Sequence, residues 1–164
     1  PLGRFRDKGT PVDNLSNYDS SQERMLYVAP VGQLRSDRLL FVTKTSMCKL
    51  VEGAEFDVAK RTIASTKLAD GDELIFIGSA SEMEQIVLQS HGGCFLRFLT
   101  QEVSTMKKTA LGVRGMKLAD DDYLEHAYLL AGHQEYTISY HDKEYALNKV
   151  RLAKRDTKGI KPRI

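Results

Sequence analysis

The sequence predicts an all-β fold of propeller-like, four-stranded blades, about three of them plus part of a fourth. The first observation behind this prediction is a repeat: Gly9, Thr62, Gly112 and Gly159 occupy equivalent places, separated by 53, 50 and 47 residues. The second is that every repeat contains short apolar runs bounded by turn residues, with almost no helical periodicity. A period near 50 residues with about four strands is typical of propeller-like arrays.

The repeats divide the 164 residues into four units within one domain or fragment that spans 1–164. The predicted units are approximately 4–55, 56–103, 104–152 and a partial unit at 153–164. A single blade has two open edges and little core, so we expect the units to depend on their neighbours. Because the last unit is incomplete, we expect the chain to be a piece of a longer polypeptide.

The first two units contain apolar runs that are separated by short turns, which predicts strands and hairpins. In the first unit the predicted strands are 39–43 and 46–51, and a Pro-Val-Gly turn precedes them at 30–32. In the second unit the Asp-Gly pair at 70–71 is a strong two-residue hairpin signal. A strand is therefore predicted directly after it, at 73–77.

The remaining elements follow the same pattern. Strands 86–90 and 94–99 are predicted on either side of a His-Gly-Gly turn, and strands 136–140 and 144–147 form the hairpin of the third unit. The third unit opens with the stretch 107–124, which has a basic start, an alternating apolar run and three aspartates. This order predicts a lead strand, a tight acidic turn and a second strand.

The composition excludes several classes of protein. No apolar run approaches the roughly 18 residues that a membrane-spanning helix needs, so no membrane partner is predicted. Cys48 and Cys94 are too few for a disulfide framework and have no zinc-ligand spacing with histidine, which favours a reducing, cytoplasmic location. The aspartates 120–122 are interpreted as a solvated turn in preference to a weak Mg²⁺ site. No nucleophile, base and orienting group form a recognisable set, so no catalytic residue is assigned.

Basic residues recur at the start of each lead strand, although the net charge is only +2. The last sixteen residues contain seven basic residues and one acidic residue. The acidic residues collect instead in the turn after the lead strand, at 70–73 and 120–122. The candidate basic residues are Arg4, Arg6, Lys8, Lys60, Arg61, Lys107, Lys108, Lys154, Arg155 and Lys158.

If the blades are arranged radially, equivalent positions share one rim, and the bases then form a periodic stripe. Such a stripe suits the DNA backbone, because each phosphate contact releases counterions and makes binding salt-dependent. Threonines near the repeat glycines, at 10, 62, 109 and 157, could donate further hydrogen bonds to phosphates. No helix is predicted to read bases, so sequence specificity should be low. The alternative is a propeller-like protein-interaction scaffold whose basic residues only protect strand edges and solubilise the surface.

Three stretches carry a family resemblance. They are Lys-Thr-Ala-Leu-Gly-Val-Arg-Gly-Met-Lys-Leu at 108–118 with the aspartates that follow, the segment 87–98 with its Gly turn, aromatic residue and Arg97, and the lead-in at 6–15. Together they resemble the C-terminal domain of the A subunit of bacterial type IIA topoisomerases, DNA gyrase and topoisomerase IV. The resemblance covers nearly the whole chain, and its motifs add Arg97 and Arg114 to the candidate DNA contacts.

The resemblance implies a β-pinwheel whose blades exchange strands, with double-stranded DNA bent or wrapped along the rim. It also implies service to an ATP-dependent enzyme that changes DNA topology, and the implied partners are the other domains of that enzyme's A subunit plus its ATPase B subunit. ATP, Mg²⁺ and the catalytic tyrosine of that enzyme belong to other domains, so this segment has no implied cofactor. Gyrase has a Gln-Arg-Arg-Gly-Gly-Lys-Gly box, of which 4–9 and 154–159 are only degenerate versions. Gyrase-type wrapping and weaker, topoisomerase-IV-like bending therefore both stay open.

Overall fold

The computed structural model of the protein describes residues 26–57 and 66–163, and these residues are almost entirely β. One short helix, α1 (Val31–Arg35), precedes the first strand, and three 3₁₀ turns follow later hairpins. The strands are β1 (Arg38–Thr43), β2 (Met47–Glu52), β3 (Leu74–Ser79), β4 (Gln85–Ser90), β5 (Phe95–Leu99), β6 (Val113–Arg114), β7 (Leu124–Leu130), β8 (Thr137–Tyr140) and β9 (Lys143–Ala146). The predicted all-β class is thereby confirmed.

The strands form three antiparallel sheets, which we call blades one to three. Blade one has the strand order β3-β1-β2-β6, blade two has β5-β4-β7, and blade three is the hairpin β8-β9. Blade two also receives a fourth segment, because Phe95 of β5 pairs with Ile160 in an isolated antiparallel bridge. Blades one and two therefore have the same four-part plan, displaced by 47 residues at the central strands β1 and β4.

Blades one and two are each assembled from strands that are distant in the sequence. In blade one, the hairpin of the first unit is flanked by β3 of the second unit and β6 of the third. In blade two, β4 pairs with β7 through Leu88 and Ala127, and β5 pairs with the fourth unit at Ile160. This exchange of strands is the pinwheel arrangement that the family resemblance implies. A blade consequently does not coincide with one contiguous repeat unit.

The core lies between blades one and two. One cluster of buried residues joins Leu40 and Val42 of β1 to Ile86 and Leu88 of β4, all of them fully buried. All six residues of β4 are buried, which explains why this central strand reads as a continuous run rather than an alternating one. Full burial of each such aliphatic side chain stabilises the fold by about 1.5–3 kcal/mol. This shared core fixes the two blades against each other.

Three local predictions need correction. The Asp-Gly turn at 70–71 exists, but within residues 66–163 it joins no hairpin, because β3 pairs with β1 (Ile77 with Phe41) and residues 66–69 lie in no strand. The predicted turn at 30–32 becomes the first part of α1. The lead strand of the third unit has only two residues in ladder geometry, because the residues that follow it, Gly115 and Lys117, bond to the carbonyls of Ser46 and Thr157, which lie outside the named strands.

Candidate nucleic-acid interface

Two lead segments, residues 105–116 and 152–160, run along the outer edges of blades one and two. The first lies beside β2, with a parallel bridge between Leu50 and Thr105 and an antiparallel pair between Cys48 and Val113. The second repeats both contacts on β5, where Arg97 bridges Leu152 and Phe95 bridges Ile160. Every one of these contacts is displaced by 47 residues, so the lead segments are structurally equivalent.

The glycine of each lead segment is required by a close backbone approach. Gly112 has φ of 102°, and a β-carbon there would stand 2.5 Å from the carbonyl oxygen of Cys48. Gly159 has φ of 75°, and a β-carbon there would stand 2.6 Å from the carbonyl oxygen of Phe95. Both positions combine a left-handed backbone with a lack of space, which only glycine tolerates. This is the physical basis of the glycine register that the sequence shows.

Each lead segment contains a basic pair, Lys107-Lys108 in the first and Lys154-Arg155 in the second. A glutamate in the preceding 3₁₀ turn anchors the segment at this pair. Glu55 of the turn Gly53–Phe56 accepts the backbone N–H of Lys108 through Oε2 at 2.7 Å. Glu102 of the turn Thr100–Glu102 accepts the backbone N–H of Arg155 through Oε1 at 3.1 Å. The hydrogen bond from Lys108 lowers the pKa of the Glu55 carboxyl below its usual 4.5, helped by the Lys107 ammonium. The repeated anchor holds the two basic pairs in matching positions.

The lysines at the start of the two basic pairs point into solvent. The Lys107 side chain is 84% exposed, with its Nζ 3.3 Å from Glu55 Oε1. Lys154, its equivalent 47 residues later, is exposed as well. Lys108 is half-buried, and its carbonyl oxygen accepts hydrogen bonds from within the fold. Exposed ammonium groups at a regular spacing can contact phosphates without rearrangement of the chain.

Three arginines predicted as DNA contacts are hydrogen-bonded inside the protein. Arg97 donates through Nε to Gln85 Oε1 at 2.7 Å. Its Nη1 donates to the backbone carbonyls of Asn148 and Val150, at 2.8 Å each. Arg155 donates through Nη1 to the carbonyl of Arg114 at 2.7 Å, and Arg114 forms an ion pair with Asp156. These side chains link neighbouring segments to one another. Their chemistry in this structure is that of structural cross-links.

The predicted basic residues do not share one end of the blades. Lys107 and Lys154 lie near the 3₁₀ turns, whereas Lys158 precedes the glycine that packs against Phe95, close to the hairpin turn at the other end of β5. At that end Lys158 lines one shallow pocket together with Asp120 and Asp122. The predicted separation of bases from the acidic turn is therefore wrong at Lys158. Arg4, Arg6, Lys8, Lys60 and Arg61 lie outside the described residues, as do Thr10 and Thr62.

Lys49 is not among the predicted contacts, although this buried residue supports the lead segment at 105–116 from within blade one. It lies on β2 with 2% exposure, and its Nζ donates to the carbonyl oxygens of Lys108 at 2.6 Å and Ala110 at 2.7 Å. Burial lowers the pKa of the Lys49 ammonium, while the nearby Glu55 carboxylate acts in the opposite direction. A lysine in the middle of an apolar strand was the signal that could have identified it, because such a charge is rarely buried without partners.

The last aspartate of each acidic turn caps a hairpin. Asp72 accepts hydrogen bonds from the backbone and hydroxyl of Thr45 at 3.1 and 2.6 Å, and Asp122 accepts the N–H of Gly92 at 2.8 Å. Burial alone raises the pKa of both carboxyls, but the several hydrogen bonds outweigh it, and both pKa values fall below their usual 3.8. Asp122 is thus part of the blade, whereas Asp120 and Asp121 are exposed. The solvated-turn interpretation holds for those two residues only.

The structure assigns no metal site within the residues it describes. In residues 26–57 and 66–163, no three His, Cys, Asp or Glu side chains are grouped closely enough to hold a metal ion. His91 contacts Glu125 through Nδ1 at 2.6 Å and stacks on Tyr123, with ring centroids 4.7 Å apart. In the same part of the chain, no helix has both the length and the apolar character to cross a membrane.

Comparison with known families matches the two complete blades. The model of a family described as "DNA gyrase C-terminal domain, beta-propeller" aligns with residues 37–81 and 84–131. Each aligned segment begins just before the central strand of a blade and ends just after β3 or β7, the strand that closes it. The chain belongs to that family. The resemblance carried by the motif at 108–118 is thereby confirmed.

Relatives of both enzyme types named in the resemblance are found. The A subunit of DNA gyrase from Ureaplasma parvum is 29% identical over 166 residues, which cover 98% of this chain and 19% of that protein. The A subunit of DNA topoisomerase 4 from Streptococcus pneumoniae is 26% identical over 165 residues, covering 96% of this chain and 20% of that protein. The chain therefore spans about a fifth of the length of these relatives.

A solved structure shows the same fold. The crystal structure of the C-terminal domain of a DNA topoisomerase IV superposes on this chain with a TM-score of 0.81 and 25% sequence identity. The match covers 96% of this chain and 50% of the solved chain. This chain therefore shares its fold with that domain.

Proposed function

We propose that this chain binds double-stranded DNA without sequence specificity and bends it, as the accessory C-terminal domain of the A subunit of a type IIA topoisomerase. The observation that carries the proposal is the repeated basic rim, which we define as Lys107, Lys108 and Lys154. Lys107 and Lys108 form the first basic pair, and Lys154 forms the second with Arg155, whose side chain is hydrogen-bonded within the protein. The two pairs are related by the 47-residue step and held by equivalent glutamates. Membership of the gyrase C-terminal family and the names of the relatives support the same conclusion.

The geometry favours contacts with the phosphate backbone over contacts with bases. The only α-helix within the described residues, α1, has five residues and no buried side chain, so it offers no recognition helix for the major groove. The rim instead presents flexible ammonium groups from two adjacent blades. Phosphate contacts from successive blades bend the DNA, and the added contacts offset the bending energy. Binding should therefore depend on salt much more than on sequence.

The wider setting of this proposal follows from the family. The parent enzyme would change DNA topology with ATP and Mg²⁺, which are used by its other parts, and would contain the remaining domains of the A subunit plus an ATPase B subunit. The chain itself contributes positioning of DNA and no catalytic group. Because the relatives that match are bacterial proteins, we place its action in the bacterial cytoplasm, at the nucleoid.

A gel-shift titration with random-sequence duplex at two salt concentrations tests the proposal. We expect the logarithm of the affinity to fall with the logarithm of salt with a slope of roughly −3, for about three phosphate contacts. Charge reversal by Lys108→Glu or Lys154→Glu should weaken binding equally for all sequences. Lys143→Glu is the matched control, because this exposed lysine starts β9, at the opposite end of its hairpin from the 3₁₀ turn.

Two results would contradict the proposal. The first is a wild-type chain that does not bind duplex at low salt, and the second is binding that does not depend on salt. Either outcome would favour the alternative function, a propeller-like scaffold for protein partners. Binding that depends on salt but is unchanged in the Lys108→Glu and Lys154→Glu variants would remove the assignment of the rim.

A further inference from the structure

The carboxylate of Glu55 contacts both residues of its basic pair, whereas the carboxylate of the counterpart Glu102 contacts one residue of its pair. The Oε2 atom of Glu55 accepts the backbone N–H of Lys108 at 2.7 Å, and its Oε1 atom lies 3.3 Å from Nζ of Lys107. The carboxylate of Glu102 accepts only the backbone N–H of Arg155. Among the described residues, no carboxylate oxygen lies within 4.0 Å of Nζ of Lys154. The repeats share a backbone anchor and differ in whether the exposed lysine is paired with a carboxylate.

We infer that Glu55 is a positioning residue that also competes with DNA phosphate for Lys107. This inference rests on the proposed function, since it concerns the affinity of the same rim. The carboxylate and the phosphodiester are both oxyanions, and the compact ammonium of lysine acts on them as a point charge. A phosphate that approaches blade one must therefore displace Glu55, whereas a phosphate that approaches Lys154 on blade two displaces none of the carboxylates among residues 26–57 and 66–163. The lead segment of blade two consequently engages DNA more readily than that of blade one.

The two roles of Glu55 can be separated by substitution. Glu55→Gln removes the negative charge but keeps an amide oxygen that can accept the Lys108 N–H. Glu55→Ala removes both the charge and the acceptor. Glu102→Gln is the matched control, because it changes the net charge by the same amount at the equivalent position without touching an ion pair of Lys154.

Titration of the full chain with random-sequence duplex at low salt measures the competition. Because an exposed ion pair contributes little, we expect Glu55→Gln to tighten binding by roughly two- to fivefold, and Glu102→Gln by clearly less. In a Lys107→Ala background, Glu55→Gln should bring no gain. An equal gain from Glu102→Gln, or a gain that persists in the Lys107→Ala background, would overturn the competition by showing a general charge effect.

Amide hydrogen exchange measures the positioning role without DNA. The Lys108 amide should be protected in the wild type and in Glu55→Gln, and should exchange faster in Glu55→Ala while the amides of β1 stay protected. Unchanged protection of Lys108 in Glu55→Ala would overturn the positioning role. Failure of the wild type to bind duplex would be seen before any variant is compared, and it would count against the proposed function. The hydrogen-exchange result does not depend on DNA binding, so it tests the positioning role of Glu55 separately.

Discussion

The α-carbon of Gly112 faces the carbonyl oxygen of Cys48, so closely that a β-carbon would stand 2.5 Å from that oxygen. The two residues belong to different repeat units and are joined by strand exchange, with Cys48 paired to Val113 in the sheet. The same relationship recurs between Gly159 and Phe95. These two lead segments can therefore reach the edges of their blades only because the residue at this position has no side chain.

The substitution Gly112→Ala should destabilise the protein strongly. A left-handed backbone costs a residue with a β-carbon about 1–2 kcal/mol, and the clash with a backbone carbonyl adds about 1–3 kcal/mol because no side chain can move away. The control is Gly71→Ala, since Gly71 has φ of 77° but no atom within 4 Å of the β-carbon position. Urea denaturation should show a clearly larger loss for Gly112→Ala. Equal losses would show that the close approach to Cys48 has no energetic importance.

Asp72 and Asp122 should make the stability of the protein depend on pH in the acid range. The pKa values of both carboxyls lie below the usual 3.8 in the folded chain. Their contribution to the free energy of unfolding is therefore complete above pH 3.8 and is lost as the pH falls through the lower, folded-state values. The double variant Asp72→Asn/Asp122→Asn should be less stable at pH 7 by about 1 kcal/mol or more per site, with a weaker dependence on pH below about 4. Denaturation midpoints measured over this range test the expectation, and Asp121→Asn, at an exposed aspartate of the same turn as Asp122, is the matched control.

Substitutions of Arg97 and Lys154 should have different effects: the first should lower stability, and the second should weaken DNA binding. Arg97→Gln leaves the carbonyls of Asn148 and Val150 without their donor, which should cost about 1–3 kcal/mol of stability. Its effect on the salt dependence of duplex binding should be negligible. Lys154→Gln should leave the unfolding midpoint unchanged and reduce the salt slope by about 0.9, the value for one lost phosphate contact. If Arg97→Gln reduced the salt slope with little loss of stability, Arg97 would belong to the rim after all.

A glycine in the turn between β8 and β9 should stabilise the protein. His141 and Asp142 both have positive φ, at 49° and 60°, which is the geometry of a two-residue type I′ hairpin turn. Asp142→Gly should stabilise the protein by about 0.5–1 kcal/mol, because glycine adopts this conformation without strain. Asp142→Ala, which has a β-carbon but no carboxylate, should instead destabilise it. Thermal unfolding of the two variants in parallel would reveal any reversal of this order.

The predicted hairpins agree with the structure because their signals are local. Apolar runs, turn residues and the 47-residue step place β1 with β2, β4 with β5 and β8 with β9 within a few residues of the predicted bounds. The Asp-Gly pair at 70–71 failed as a hairpin signal for a related reason. Its local turn chemistry is present, but β3 pairs with the buried strand β1, and residues 66–69 before the turn form no strand.

The candidate interface was predictable only in part. Recurrence in the sequence correctly related Lys107 to Lys154, because equivalent residues of a repeat occupy equivalent sites. It could not show that Arg97, Arg114 and Arg155 donate to groups 12 to 53 residues away. Charge alone does not reveal whether a cation is free, since the carbonyls and carboxylates that neutralise it come from other units.

Alternation, turn chemistry and spacing are properties of neighbouring residues, and they were enough to establish the β class, the repeat length, the hairpins and the glycine register. They did not establish which strands share a blade or which basic residues remain available to DNA. Those two features depend on strand exchange, which joins residues as far apart as Ser46 and Met116, whose Oγ–N hydrogen bond spans 70 residues. Contacts over such separations are set by the way whole blades pack, and a periodic sequence does not specify which unit supplies the partner.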